Sequence, residues 1–246
     1  MKFQITKDPM SMLEIDMNKG ESIRADGGSF VFKIGNFDIK THTREGFLKN
    51  LKVSILGQES FFINDFNAMG DSCKLGLSGP PVGDIIEIPI TAEQGFIIQS
   101  GTYVASTSSV DLDTKWQGFS KGIFGTELFM LKATGKGSVF VNAYGGIIKK
   151  ELESGETMTL DNYHLVALSN NSHYVVTKFG GIKSTLFSGE GLVTEITGPA
   201  IVYFQTKNLK ELMDLISGEH AKDNSSNTHT MAQAAMLGLR FASGFK

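Results

Sequence analysis

Hydrophobic and polar residues alternate along most of the chain in short runs, which is the period-two pattern of β-strands with one buried face. Gly, Asn and Asp separate these runs, as expected where a chain turns between strands. The clearest runs are Ser29–Ile34, Ile85–Ile90, Phe96–Gln99, Ser138–Val141 and Ala200–Phe204. We find no amphipathic helix pattern before residue 208, so the alternation predicts an all-β body.

The pattern changes near the C-terminus. Four apolar side chains recur there at spacings of three and four: Leu209, Leu212, Met213 and Ile216. With Asn208 as a candidate N-cap, this spacing predicts one short helix at residues 208–217. Residues 218–230 are polar and are predicted to be a linker. The apolar segment 231–246 is interpreted as a weakly ordered tail, with docking on a protein partner or at a membrane interface as alternatives.

Two short patterns each occur three times. The first is a glycine followed by an acid, a strand and a second strand: Gly20-Glu21 with Gly28–Val31, Gly83-Asp84 with Gly101–Ala105, and Gly155-Glu156 with Tyr163–Ala167. The second consists of Gly57–Phe62, Gly125–Met130 and Gly181–Phe187, each followed by a glycine turn and another strand. Glycine supplies a positive φ at such turns and the acid caps backbone amides. The repetition predicts a β-sandwich or double-stranded β-helix-like body with three repeats.

The predicted single β domain covers residues 1–217. Its repeats lie at about residues 1–78, 79–147 and 148–207, and the short helix follows them. At 246 residues the chain is long enough to bury a substantial core. Its 28 glycines agree with frequent tight turns.

The charge of the chain bears on its partners. Lys and Arg number 23 against 26 Asp and Glu, which gives a net charge of −3 without a cluster of basic residues. Nucleic acids and anionic membrane surfaces are therefore poor candidate partners, because both require clustered positive charge. No apolar run is long enough for a transmembrane segment. The single cysteine, Cys73, and the absence of a signal-peptide pattern favour a cytoplasmic location.

Candidate reactive motifs are few. Gly118–Gly122 matches the G-x-S-x-G pattern of a nucleophile elbow, but a turn and a strand follow it where that motif requires a helix. A glycine-rich connection is therefore the favoured interpretation. The sole tryptophan, Trp116, is either a packing residue or a surface contact residue.

Histidines raise the question of a metal site, since β-helix proteins of the cupin type hold metals on them. Such sites use a close H-x-H pair, which this chain lacks. His164 and His173 are interpreted as flanking one hairpin, with Glu156 or Asp161 as a possible acidic neighbour. They are candidate metal ligands. The alternative is that each imidazole forms hydrogen bonds within the protein or faces solvent. We predict no resident metal or cofactor.

The order of these motifs resembles a known family. The chain contains, in sequence, Gly20-Glu21-Ser22, Gly57–Phe62, Gly83-Asp84-Ile85, Ser100–Ala105, Gly125–Phe129, Gly155-Glu156, His164–Ala167, Ser188–Leu192, Gly198-Pro199 and Gln205-Thr206. This order is similar to the altered-inheritance-of-mitochondria family of mitochondrial biogenesis proteins over about residues 1–207. The most specific pieces are Gly189–Gly191 and Gly198–Thr206.

The resemblance implies a fold like the repeats of the tryptophan RNA-binding attenuator protein and a tendency to trimerise. It does not imply tryptophan or RNA binding. Mitochondrial members are implicated in inner-membrane organisation, and a bacterial member is the favoured source here. The family supplies no catalytic residues to carry over.

These observations predict a non-catalytic, homo-oligomeric scaffold or interaction protein, with a trimer favoured. The alternative is a small-ligand or metal-binding module of the cupin type. The candidate ligand or interaction residues are Glu190, Trp116, His164 and His173. Glu190 is included because the resemblance centres on it, whereas a turn alone does not require an acid there. A protein partner for the C-terminal tail is a further possibility.

Overall fold

A computed structural model describes residues 1–7, 10–43, 62–113, 130–178 and 192–208. The strands within these ranges are β1 Lys2–Thr6, β2 Met12–Met17, β3 Ser22–Asp26, β4 Phe30–Ile34, β5 Phe37–Thr43, β6 Phe62–Ala68, β7 Cys73–Leu77, β8 Ile85–Ile90, β9 Phe96–Gln99, β10 Tyr103–Thr107, β11 Val110–Asp113, β12 Met130–Gly135, β13 Gly137–Asn142, β14 Ile147–Leu152, β15 Thr157–Asp161, β16 Leu165–Ser169, β17 His173–Lys178, β18 Leu192–Thr197 and β19 Ala200–Gln205. Two short 3-10 helices, Ser100–Thr102 and Asn162–His164, precede β10 and β16.

The predicted all-β fold class is confirmed. Each of the five alternating runs coincides with a strand: β4, β8, β9, β13 and β19. The predicted helix lies outside the described residues apart from Asn208, and the linker and the apolar tail lie outside them entirely.

Strands β2 to β19 repeat one pairing pattern three times. We label the strands a to f in chain order, so that β2–β7 form repeat 1, β8–β13 repeat 2 and β14–β19 repeat 3. In each repeat strand f pairs with strands a and c, and strand e pairs with strands b and d, always antiparallel. Each repeat therefore contributes two three-stranded sheets, a-f-c and b-e-d.

Neighbouring repeats are joined within their sheets. Strand b of one repeat pairs with strand c of the next, as β3 does with β10 and β9 with β16. Each junction creates one six-stranded sheet, with the orders β5-β6-β3-β10-β13-β8 and β11-β12-β9-β16-β19-β14. At either end of the series a shorter sheet is left, β1-β2-β7-β4 and β15-β18-β17. Met1–Lys207 form one compact unit.

Three hydrophobic clusters fill the space between successive sheets. The first includes Leu13 and Leu75 from one sheet, and Phe66 with Phe140 from the next. The second and third clusters repeat this arrangement one sheet further on each time. Strand c in each six-stranded sheet is consequently covered on both faces, and every residue of β16 is buried. Strand c therefore lacks the alternation of apolar and polar residues that is typical of a strand with one solvent-exposed face.

The three glycine-acid pairs of the sequence adopt two different structures. In the turns Asn18–Glu21 and Glu153–Glu156 the glycine has a positive φ, +86° and +83°. The glutamate Oε2 at the end of each turn accepts a hydrogen bond from the backbone N–H at its start, at 2.8 and 3.0 Å. Both turns lead into strand b, as predicted.

Gly83 does not belong to this series, so placing it there was wrong. It precedes β8, a strand a, and forms a bridge with Gly145, which precedes strand a of repeat 3. The turn before strand b of repeat 2 is Thr91–Gln94, where the Gln94 N–H donates to Thr91 Oγ1 at 3.0 Å. Gly83 is required for close backbone approach and not for a positive φ.

Partly and fully buried phenols make the stability of the fold sensitive to high pH. Burial raises the pKa of Tyr174 to about 12 and also raises the pKa values of Tyr144 and Tyr203. The folded state favours the neutral phenol, so its contribution is complete below pH 10 and is lost as the pH rises from 10 towards 12. We expect the free energy of unfolding to fall over that interval, and to fall less in Tyr174→Phe. Urea unfolding of both proteins at several alkaline pH values checks this, and equal pH slopes would contradict it.

Candidate interaction surface

Strand β4 is an edge strand with an apolar sequence, Phe-Val-Phe-Lys-Ile. It pairs with β7, and no other strand among the described residues pairs with its outer edge. Phe30, Val31 and Ile34 are 45, 50 and 57% exposed. The strand thus combines free backbone hydrogen-bonding groups with apolar side chains, a combination that natural sheet edges usually avoid.

The corresponding strands of the other repeats show what covers this surface. Each strand c has a bulge at the same place, between Phe30 and Phe32 in β4, between Tyr103 and Ala105 in β10, and between Leu165 and Ala167 in β16. The bulge aligns Val31 with Val104 and Val166, both of which are fully buried. They are buried because strand b of the preceding repeat covers their strands. No described strand b pairs with β4, so among the described strands β4 has the sequence of a covered strand without a cover.

The complementary edge is β15, strand b of repeat 3. Its counterparts β3 and β9 pair on both sides, whereas β15 pairs only with β18 among the described strands. When the three strands b are aligned by the turns that precede them, Met158 corresponds to Ile23 and Phe96. Those two side chains are buried, whereas Met158 is half-buried. Strands β4 and β15 are therefore the two members of this strand b and strand c series that no described strand covers.

Four of the six other sheet edges among the described strands are protected by charge or proline. The protecting residues are Asp38 and Lys40 in β5, Glu87 and Pro89 in β8, Asp111 and Asp113 in β11, and Lys149, Lys150 and Glu151 in β14. Charged side chains and proline on an edge discourage pairing with another strand. In β4 only Lys33 is charged, and in β15 only Asp161, which caps the Tyr163 N–H at 2.7 Å. Strands β4 and β15 are thus less protected than these four edges, and β1 and β17 likewise carry one lysine each, Lys2 and Lys178.

Two of the four predicted site residues, His164 and His173, lie within the described residues, and the structure does not bring these two together. His164 Nδ1 donates to the Gln205 carbonyl oxygen at 2.7 Å and ties the start of β16 to the end of β19. His173 is exposed and lies opposite Thr197 at the other end of the three-stranded sheet. His164 follows Asp161, which pairs with Val193 at the opposite end of that sheet, roughly 13 Å along β18 from Thr197. Glu190, Trp116 and the Gly118–Gly122 motif lie outside the described residues.

The two acidic residues predicted to lie near these histidines, Glu156 and Asp161, have local structural roles. Glu156 caps its own turn through the Glu153 N–H, and Asp161 caps the 3-10 helix that contains His164. Among the residues that the structure describes, no group of three His, Cys, Asp or Glu side chains could hold a metal ion. The described part of the chain also has no helix long and apolar enough to cross a membrane.

One cluster of charged side chains crosses the first six-stranded sheet. Asp65 accepts from Arg24 Nε at 3.3 Å through one carboxylate oxygen and lies 3.0 Å from His42 Nε2 through the other. The three residues occupy neighbouring positions on β3, β6 and β5. They form a cross-strand ion pair of the kind that stabilises a solvated sheet face.

Comparison with known proteins identifies the chain. The sequence pattern of the family described as mitochondrial biogenesis AIM24 matches residues 3–207. The chain belongs to this family. The family resemblance seen in the sequence is thereby confirmed, and the AIM24 region includes both β4 and β15.

Relatives of this AIM24 protein come from Streptococcus pyogenes. An uncharacterised protein of the serotype M6 strain is 29% identical over 220 residues, which is 86% of this chain and 88% of the relative. A crystal structure of an S. pyogenes protein superposes with a TM-score of 0.70 at 25% identity, covering 89% of this chain and 99% of that one. The all-β architecture of the AIM24 region is therefore one that has been seen by crystallography.

Proposed function

We propose that this AIM24-family protein is a non-catalytic scaffold that assembles from copies of itself. One observation carries the proposal: β4 is apolar and exposed, whereas the two strands in equivalent positions are buried by pairing. A closed trimer is the form that the family resemblance favours.

Hydrophobic burial supplies the driving force for such an assembly. Fully burying a Val, Ile or Phe side chain is worth about 1.5–3 kcal/mol. Phe30, Val31 and Ile34 retain roughly half of that potential in a single chain, because about half of each side chain is exposed. Pairing of the free backbone groups adds direction, since an edge strand accepts a partner only in a defined register.

The polar residues support a role without catalysis. His164, the best-placed candidate, is engaged with a backbone carbonyl group, and the Arg24–Asp65–His42 cluster is an ion pair across strands. Each therefore has a structural explanation that requires no substrate.

Light scattering on the full-length protein tests the proposal. We expect a mass that is a multiple of 26.7 kDa at low micromolar concentration, with dissociation on dilution. A species of one chain at every concentration would overturn the proposed function.

A further inference from the structure

We infer that strand β17 binds an extended segment of a different protein as an additional strand, and that this segment alternates basic with apolar residues. β17 pairs with β18 and with no other described strand, so its second edge is unpaired among the described strands. Sheet edges of this kind bind extended peptides through main-chain hydrogen bonds, while the flanking side chains select the sequence. The contact uses neither β4 nor β15, so it does not depend on the proposed assembly of copies.

The edge of β17 lacks the charges found on the equivalent edges of the other repeats. β5, β11 and β17 are the strands d of repeats 1, 2 and 3, and each forms one edge of its sheet. We align them through their pairing with strand e, which is aligned in turn through its pairing with strand b. The corresponding residues are Lys40, Asp113 and Val175 in one row, and Asp38, Asp111 and His173 in the next. Repeats 1 and 2 thus carry the charges that protect an edge in both rows, whereas repeat 3 has a valine and a histidine.

Glu195 on β18 is the charge that a basic partner residue would meet. In repeats 1 and 2 the residue at this position of strand e lies opposite a charge of the other sign on strand d. These pairs are Asp65 with Lys40 and Lys132 with Asp113. Glu195 is exposed and lies between Thr159 and Val175, which are uncharged. It forms no ion pair with another described residue, so repeat 3 lacks the opposite charge that the other two repeats have on strand d.

The spacing of strands allows a partner side chain to reach Glu195. Neighbouring strands lie about 4.8 Å apart, so a residue opposite Val175 on an added strand is about 10 Å from Glu195 between Cα atoms. Lysine and arginine can extend over a neighbouring strand, because their methylene groups cover apolar surface while the charged group stays in water. Val175 offers such a surface, since it is 51% exposed. Charge complementarity therefore favours a basic residue above Val175 and disfavours an acidic one.

The opposite face of β17 selects apolar residues. Tyr174 and Val176 are half-buried there, and Tyr174 packs against the third hydrophobic cluster and lies opposite Ile196. Successive residues of a strand point to opposite faces, so a segment with a basic residue above Val175 directs the two neighbouring residues towards this cluster. Apolar neighbours would extend the cluster by one strand and remove further apolar surface from water.

Fluorescence anisotropy on the full-length protein tests the inference with a defined probe. The probe is a labelled octapeptide with blocked ends that alternates lysine and valine, and its counterpart alternates glutamate and valine. We expect the lysine peptide to bind, and to bind more weakly as salt is added. The glutamate peptide should bind about tenfold more weakly or less well still. Absence of binding, or equal binding of the two peptides, would overturn the inference.

Substitutions locate the contact on β17. Val175→Lys places a charge on the edge and should weaken binding of the lysine peptide by about tenfold or more. Glu195→Gln keeps the shape of the side chain and removes its charge, and should weaken binding by about threefold. Val82→Lys is the matched control, because Val82 is 55% exposed and lies outside the described strands. It should bind as the native protein does, and an equal effect of Val82→Lys and Val175→Lys would contradict the inferred contact.

Amide hydrogen exchange identifies the edge that the peptide uses. Added main-chain hydrogen bonds should slow exchange in residues 173–178 when the lysine peptide is bound. Slower exchange in residues 30–34 instead would assign the peptide to β4 and overturn the inference. Light scattering reports assembly separately. An assembled protein that fails to bind the peptide leaves the proposed function standing, and a single-chain protein that binds it at β17 leaves the inference standing.

Discussion

Replacing Val31 by lysine is expected to separate the proposed assembly into single chains of 26.7 kDa. In the covered junctions the equivalent residues Val104 and Val166 have no exposed surface. A lysine at this position would bring an unpaired ammonium group into an apolar contact, which costs several kcal/mol. Each 1.4 kcal/mol changes an association constant about tenfold, so we expect the association to weaken by at least a hundredfold.

Val175 provides a matched control for this substitution. It lies on β17, another edge strand, and its exposed fraction of 51% is nearly that of Val31 at 50%. Val175→Lys introduces the same charge at nearly the same exposure but leaves the β4 edge unchanged. Light scattering should show native mass for Val175→Lys and single chains for Val31→Lys, with unchanged circular dichroism in both. Equal masses for the two variants would contradict the prediction.

The second large effect is expected at Gly83. A Cβ atom there would lie 2.2 Å from the Gly145 carbonyl oxygen, 2.4 Å from that of Ala143 and 2.5 Å from the Gly145 nitrogen. All three are backbone atoms, so no side-chain rotation can relieve the overlap. Two hydrogen bonds would be disturbed as well, from the Gly145 N–H to the Val82 carbonyl oxygen and from the Asp84 N–H to that of Gly145. We expect Gly83→Ala to lower the free energy of unfolding by about 2–4 kcal/mol.

Gly101 is the matched control for the loss of glycine itself. An added Cβ there meets nothing within 4 Å, and the residue has no positive φ. Gly101→Ala should change stability by no more than about 0.5–1 kcal/mol. Urea unfolding of the native protein and both variants measures the difference. A Gly83→Ala protein as stable as Gly101→Ala would show that the backbone at Gly145 yields easily.

The sequence allowed the strands to be predicted but not the pairing between them. Alternation located β8 and β19 because each is set by the local order of residues. The junctions depend on contacts between residues such as Ala25 and Ala105, which are 80 positions apart. No local pattern carries that information. The match between Gly28–Val31, Gly101–Ala105 and Tyr163–Ala167 did identify the three strands c, yet it could not show that only the first is uncovered.

Contacts between residues distant in sequence also decide the positions of the candidate residues. His164 and His173 are close in sequence, which suggested a shared hairpin. The chain instead passes from the six-stranded sheet at β16 to the three-stranded sheet at β17, and the two imidazoles are separated. Gly83 resembled Gly20 in its flanking acid, but its requirement comes from Gly145 across the bridge. In both cases a contact distant in sequence decides the role of the residue.

Strand b of one repeat meets strand c of the next in the same register at both internal junctions. The turn from repeat to repeat is therefore fixed by a local backbone contact and not by the length of the polypeptide. If chains join through the same contact, a closed assembly contains a set number of repeats, and the number of chains is one third of it. A chain with a different number of repeats would then complete the same ring only where that number divides the set total of repeats.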